Sequence, residues 1–182
     1  MAENSLDSSI LARVFEAMGR HLEWEADVRV SIVGGAALAL NSSLPPGRTT
    51  LDCDVMEYEP EVAEKAVEQA AEAAGREFDL PEQWFNSHAM WHRDSVPEGW
   101  QERRRLIGTY GRLRVFAADR RDLVVMKLIS GRPQDLQDVV ALIRADDVRF
   151  IRACLTQMRK KTAVSEQVPE AFERLDALEP KA

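Results

Sequence analysis

Two glycines at the end of an apolar strand, followed a short way on by two aspartates at alternate positions, restrict this chain more than any other feature. Val28-Arg-Val-Ser-Ile-Val33 is strand-like, Gly34 and Gly35 strip side chains from its end, and Ala36–Leu40 reads as a short helix of small residues. A polar turn over Ser42–Gly47 leads to Arg48-Thr-Thr-Leu-Asp-Cys-Asp-Val-Met56, which reads as a second strand. Side chains alternate along a strand, so Asp52 and Asp54 should share a face. Their Cα atoms would then lie about 6.6 Å apart, close enough to share one or two divalent cations. The glycines leave backbone N–H groups and the positive helix end open to an anion such as phosphate. A phosphate cradle beside a carboxylate pair is the layout of a phosphoryl- or nucleotidyl-transfer site.

Gly-Gly-Ala, a gap of about a dozen residues and then Arg-x-Thr-x-Asp-x-Asp resembles the minimal nucleotidyltransferases of the polymerase-β-like superfamily. The bacterial proteins related to AbiEii toxins and to MNT-type antitoxins are the nearest likeness, over about Val30 to Ile143. A second stretch, with Asp122, Lys127, Arg132, Asp135 and Asp138, is similar to the family's second signature. The resemblance implies that Asp52 and Asp54 hold Mg²⁺ or Mn²⁺ and are catalytic. It places the nucleotide against Gly34, Gly35, Arg48, Thr50 and Lys127, with Arg132, Asp135 and Asp138 as a bracing network. Other readings stand beside these: Arg48 as a solvated loop cation, Thr50 as a strand-start hydroxyl, and Arg132, Asp135 and Asp138 as an ordinary salt-bridged helix surface. Lys127, inside Leu123-Val-Val-Met-Lys-Leu-Ile129, either snorkels outward or points into a site.

The implied reaction moves a nucleoside monophosphate from an NTP to an acceptor hydroxyl on a tRNA, a protein or a small molecule. A cognate toxin or antitoxin is the implied protein partner, within a toxin–antitoxin or phage-defence system. One departure bears on this. Such enzymes carry a third carboxylate on a neighbouring strand, and Arg112–Phe116 has none. Asp119, Glu57 and Asp79 are the substitutes at hand. Without one, the chain reads alternatively as a catalytically silent module that binds a nucleotide or a partner.

The remaining pattern specifies an α/β (α+β) fold, a short mixed sheet flanked by helices with a helical C-terminal half. Helical spacing predicts a helix over Leu6–Leu22, capped by Asp7, Ser8 or Ser9. A helix over Glu59–Arg76 follows, with Pro60 in its first turn, Val62 on its buried stripe and Gly75 as C-cap. The segment 78–100 is irregular. It holds Trp84, Trp91 and Trp100, and His88 and His92 lack a third ligand in register. Pro81–Asn86 either borders a substrate pocket or covers a sheet edge. A hairpin over 103–116 turns at Gly111, and helices follow over 119–128, 134–144, 146–161 and 166–178. The expected division is a nucleotidyltransferase-like domain over 1–145 and a C-terminal helical extension over 146–182.

A net charge of −7 argues against a broadly basic nucleic-acid surface. The two cysteines, Cys53 and Cys154, lack metal-ligand spacing and read as free thiols in a reducing compartment. No secretory leader and no membrane-spanning run are visible, so a cytoplasmic location without membrane partners is expected.

Overall fold

Asp7 starts the first helix, its carboxylate accepting the Ser9 and Ile10 N–H groups at 2.8 Å each. That satisfies donors which a helix start leaves orphaned. The computed structural model describes residues 6–41 and 49–178. Within them the helix, α1, spans Ser8–His21 and buries Leu11, Val14, Phe15 and Met18.

The chain divides into two compact units, one running to Trp91 and including Arg104–Ala118, the other made of His92–Arg103 and the chain from Asp119 onward. The first unit holds the sheet. Strands β1 (Val28–Val33), β2 (Cys53–Glu59), β3 (Phe85–Asn86), β4 (Arg105–Tyr110) and β5 (Leu113–Ala117) lie in the order β3-β2-β1-β5-β4. β1 pairs antiparallel with β2 and parallel with β5, so the sheet is mixed. The 4–5 hairpin turns at Gly111, whose φ of +60° suits a residue without Cβ. α2 (Gly34–Leu40) follows β1 directly, and α3 (Glu64–Glu77) packs against α1.

Two details of this unit depart from the sequence pattern. β2 runs on to Glu59, a 3-10 turn covers Glu61–Ala63, and the helix begins only at Glu64. Val62 therefore lies outside the helical stripe and is 77% exposed. Gly75 sits inside α3, not at its cap, because Trp84 needs the space: a Cβ there would lie 2.6 Å from Trp84 Nε1. That indole N–H donates to the Ala71 carbonyl at 3.1 Å, so the largest fully buried side chain also has its polar atom satisfied.

In the second unit α4 (Trp100–Arg103) precedes α5 (Arg120–Ser130), α6 (Pro133–Leu142), α7 (Val148–Met158) and α8 (Val168–Leu178). Here α5 and α6 belong by contact with α7 and α8. Asp119 caps α5 through the Arg121 N–H at 3.0 Å. At its other end Gly131 takes a left-handed φ of +65°, and Arg174 of α8 covers that turn, donating to the Leu128 carbonyl at 2.8 Å. Asp122 is fully buried and held bidentate by Arg103, with N···O distances of 2.7 and 3.0 Å. Both cysteines are free and buried. Among the described residues no helix is long and apolar enough to cross a membrane.

Candidate functional site

The register of β1 against β2 brings the two halves of the glycine–aspartate motif together. Val33 lies opposite Asp54, so the chain leaves β1 at Gly34 beside the Asp54 carboxylate. Gly34 has φ +68°, and a Cβ on it would stand 2.5 Å from Asp54 Oδ2. Gly35 is equally tight, its missing Cβ falling 2.6 Å from Thr50 Oγ1. The glycines thus act sterically on the aspartate strand, a second reason for their presence beyond an open backbone.

Asp52 and Asp54 do not both belong to the strand. β2 begins at Cys53, and Asp52 precedes it as an exposed residue. Thr50, itself buried, bridges in backbone to Leu6 and sends its hydroxyl to the Asp52 carbonyl at 3.0 Å and to Asp52 Oδ1 at 3.2 Å. The chain before β2 is thereby tied to Leu6, just ahead of α1, and Asp52 is oriented by a side chain rather than by the pleat. Burial, and then the carboxylates of Asp54 and Asp52, push the intervening Cys53 thiol well up. It stays protonated and unreactive, and it registers the negative field of the pair. Arg48 lies outside the described residues.

A bulge at Met56 shapes the rest of this sheet face. Val55 lies opposite Ile32 but Glu57 opposite Ser31, so one β2 residue is extra and Glu57 returns to the face that carries Asp54. On that face Arg104 reaches Ser31 Oγ at 2.7 Å, Glu57 at 3.1 Å and Glu59 at 2.9 Å, and lies over the Phe116 ring at 4.7 Å. Nothing in the Arg103-Arg104-Arg105 run singles out its middle member. Of the substitute acids, Glu57 is the one that shares a face with Asp54. Asp79 is exposed, and Asp119 belongs to the other unit as a helix cap. On the other side of β2, Asn86 of the edge strand β3 stands in register with Asp54, its Oδ1 accepting the His88 N–H at 3.1 Å.

The second signature lies in the second unit. Lys127 is buried and donates to Asp135 Oδ1 at 2.8 Å and Asp138 Oδ2 at 2.7 Å. Asp135 also accepts from Ser130 at 2.8 Å and Arg132 at 2.7 Å. Burial pushes the Asp135 carboxyl up, but hydrogen bonds from Arg132, Lys127 and Ser130 outweigh it and hold it below the usual range. Asp135 and Asp138 are interior carboxylates gathered on one ammonium, whereas the Arg132 side chain remains 77% exposed.

Among the described residues no three His, Cys, Asp or Glu side chains gather as a metal-ligand set, the His88–His92 pair included. A carboxylate pair is still a fitting donor set for Mg²⁺, which takes one or two carboxylates and completes its shell with water and substrate phosphates. It does not suit Zn²⁺, which calls for three or four nitrogen and sulfur ligands.

The model of the family described as "Nucleotidyltransferase of unknown function (DUF6036)" matches residues 9–174, nearly the whole chain. The chain belongs to this nucleotidyltransferase family. No curated protein and no solved structure gives a significant match. The family's match spans both units, so the glycine–aspartate turn and the Lys127 cluster are both parts of the family unit.

Proposed function

We propose that this DUF6036 chain transfers a nucleoside monophosphate from an NTP to an acceptor hydroxyl, releasing pyrophosphate, with Mg²⁺ or Mn²⁺ held by Asp52 and Asp54. The observation that carries this is the seating of Gly34 against the Asp54 carboxylate, next to Gly35 on Thr50. When bound, the ion would neutralise the triphosphate and favour in-line displacement. The chain's own contribution is positional. Thr50 fixes the Asp52 carboxylate, Gly34 leaves room for the Asp54 carboxylate beside it, and the Gly34–Gly35 backbone with Arg48 and Thr50 borders the nucleotide. In the second unit the Lys127 ammonium is held by Asp135 and Asp138, with Arg132 bracing Asp135, and the role proposed for this cluster is to brace its own unit. The setting we propose is cytoplasmic, in a toxin–antitoxin or phage-defence pair. The acceptor is a tRNA, a protein side chain or a small molecule.

That no three carboxylates gather among the described residues favours one second reading, a module that binds nucleotide or a cognate partner without turnover. A labelling assay decides between them. The protein is incubated with each α-labelled NTP, Mg²⁺ or Mn²⁺ and a cell extract, beside the Asp52→Asn, Asp54→Asn double variant. Label from the parent alone establishes transfer, and its nuclease or protease sensitivity names the acceptor. Nucleotide binding with no label in either lane leaves the silent module.

A further inference from the structure

Strand β3 is only two residues long, yet it sets one more polar side chain on the aspartate face of the sheet. It runs parallel to the start of β2, with Phe85 opposite Cys53 and Asn86 opposite Asp54. Residues paired across a parallel ladder point to the same face, and neighbours along a strand to opposite faces. The surroundings agree with that alternation. Phe85 and Cys53 are both buried, and Ser87 turns toward α3, its hydroxyl 3.4 Å from the Glu68 carboxylate. Asn86, between Phe85 and Ser87, comes out on the other side with Asp54, and both are half-buried.

The Asn86 amide has a fixed orientation. Its Oδ1 accepts the His88 N–H at 3.1 Å, a local turn of the kind asparagine makes with the backbone two residues on. Only the carbonyl end of an amide accepts from an N–H, so this bond decides which end is which. Nδ2 is then the end left to a ligand. It carries two donor hydrogens and no formal charge, and among the described residues it donates to no acceptor. A neutral donor opposite Asp54 suits an anion. A phosphate oxygen accepting from it would make a charge-assisted hydrogen bond, stronger than one between neutral groups.

We propose that Asn86 binds the substrate, its Nδ2 donating to a phosphate oxygen of the NTP. This role rests on the reading of Asp52 and Asp54 as the nucleotide site, and it holds whether or not transfer follows binding. The position opposite Asp54 thus serves the negative charge of the nucleotide. A carboxylate there would add a third negative charge facing the triphosphate.

Asn86→Asp separates substrate binding from the local turn. The aspartate keeps an oxygen for the His88 N–H and exchanges only the donor end for an acceptor. Equilibrium dialysis of the full-length protein against each of the four α-labelled NTPs in turn, with Mg²⁺ present, reads the effect. The parent should bind at least one of them, Asn86→Asp at least tenfold more weakly and Asn86→Ala severalfold more weakly, each with the far-UV circular dichroism of the parent. Equal or tighter binding by Asn86→Asp overturns the assignment, since the residue would then serve the turn or the metal. Parent-like binding by Asn86→Ala overturns it as well, and decides the matter if the aspartate variant does not fold. Either result, with nucleotide still bound by the parent, removes Asn86 alone. A parent that binds none of the four NTPs overturns both this role and the reading of Asp52 and Asp54.

Discussion

Gly34 and Asp54 are built against each other: the carboxylate occupies the space that a β-carbon on residue 34 would need, 2.5 Å from where it would stand. Gly34→Ala meets two penalties at once, the left-handed φ of +68° and the contact with Oδ2. The first costs about 1–2 kcal/mol. The second is relieved by turning the Asp54 side chain away, which damages the proposed metal position. Loss of nucleotidyl transfer together with a measurable drop in melting temperature is expected. An alanine variant with full activity and an unmoved melting temperature would show that the close approach has no functional consequence.

Gly75→Ala tests the same logic away from the site. The new methyl would press on Trp84 Nε1 at 2.6 Å and disturb its hydrogen bond to Ala71. Overpacking of this kind costs about 1–3 kcal/mol. Urea denaturation followed by tryptophan fluorescence should show the unfolding free energy falling by that amount. A stabilised variant, as better helix propensity alone would give, contradicts the packing account.

What was legible in the sequence follows the reach of each physical signal. Strand β1, the hairpin at Gly111 and helices α1 and α5 to α8 come from alternation, helical period and caps, all of which act within a few residues. Pro60 near a run of alanines is an equally local signal, yet it suggested a helix start at a place where β2 is still extended, because pairing with β1 holds Glu59 opposite Arg29. Asp52 falls outside the strand for a similar reason: its position is decided by Thr50, whose own place is set by the distant Leu6. The partners of Lys127 could be suspected from spacing, but not that Asp135 and Asp138 would be interior. Arg104 was invisible, since its partners Ser31, Glu57 and Glu59 come together only through register and the Met56 bulge.

The Lys127 cluster predicts an asymmetric response to substitution. Asp135→Asn keeps the shape but removes one of the two negative charges that compensate the buried ammonium, and also the partner of Ser130 and Arg132. Asp138 still pairs the ammonium, so the loss is about 1–3 kcal/mol, below the roughly 3–5 kcal/mol of leaving a buried charge uncompensated. Arg132→Ala should cost under about 1 kcal/mol, since that side chain is mostly exposed. Comparable losses from both variants in chemical denaturation would contradict this ranking.

Asp135 and Asp147 also predict a pH dependence. Both carboxyls sit below their ordinary range in the folded chain, burial being outweighed by Arg132, Lys127 and Ser130 in one and by Arg120 and the Arg144 N–H in the other. A lowered folded value contributes stability above the unfolded value of about 3.9, lost as pH falls through the folded one. Asp122 acts in the opposite sense, since burial raises it despite Arg103. The two contributions separate by comparison: urea midpoints of the parent should fall below about pH 4, and those of Asp135→Asn should fall less. Parallel curves would remove Asp135 from the acid transition.

Arg104 offers the last test. Its guanidinium ties Ser31, Glu57 and Glu59 on the sheet face that carries Asp54, with 10% of the side chain exposed. Arg104→Ala leaves two glutamates of like charge on one face and strips the cover from Phe116. Full burial of such a pair would set the loss at about 3–5 kcal/mol; the partial exposure of Glu57 and Glu59 brings it to about 1–3 kcal/mol. Arg104→Lys should recover only part, because one ammonium cannot serve both carboxylates in a planar fork. The decisive comparison adds Glu57→Gln to Arg104→Ala. If the arginine chiefly compensates the glutamates, the double variant is more stable than Arg104→Ala alone, and if the two losses simply add, the ion pair contributes nothing of its own.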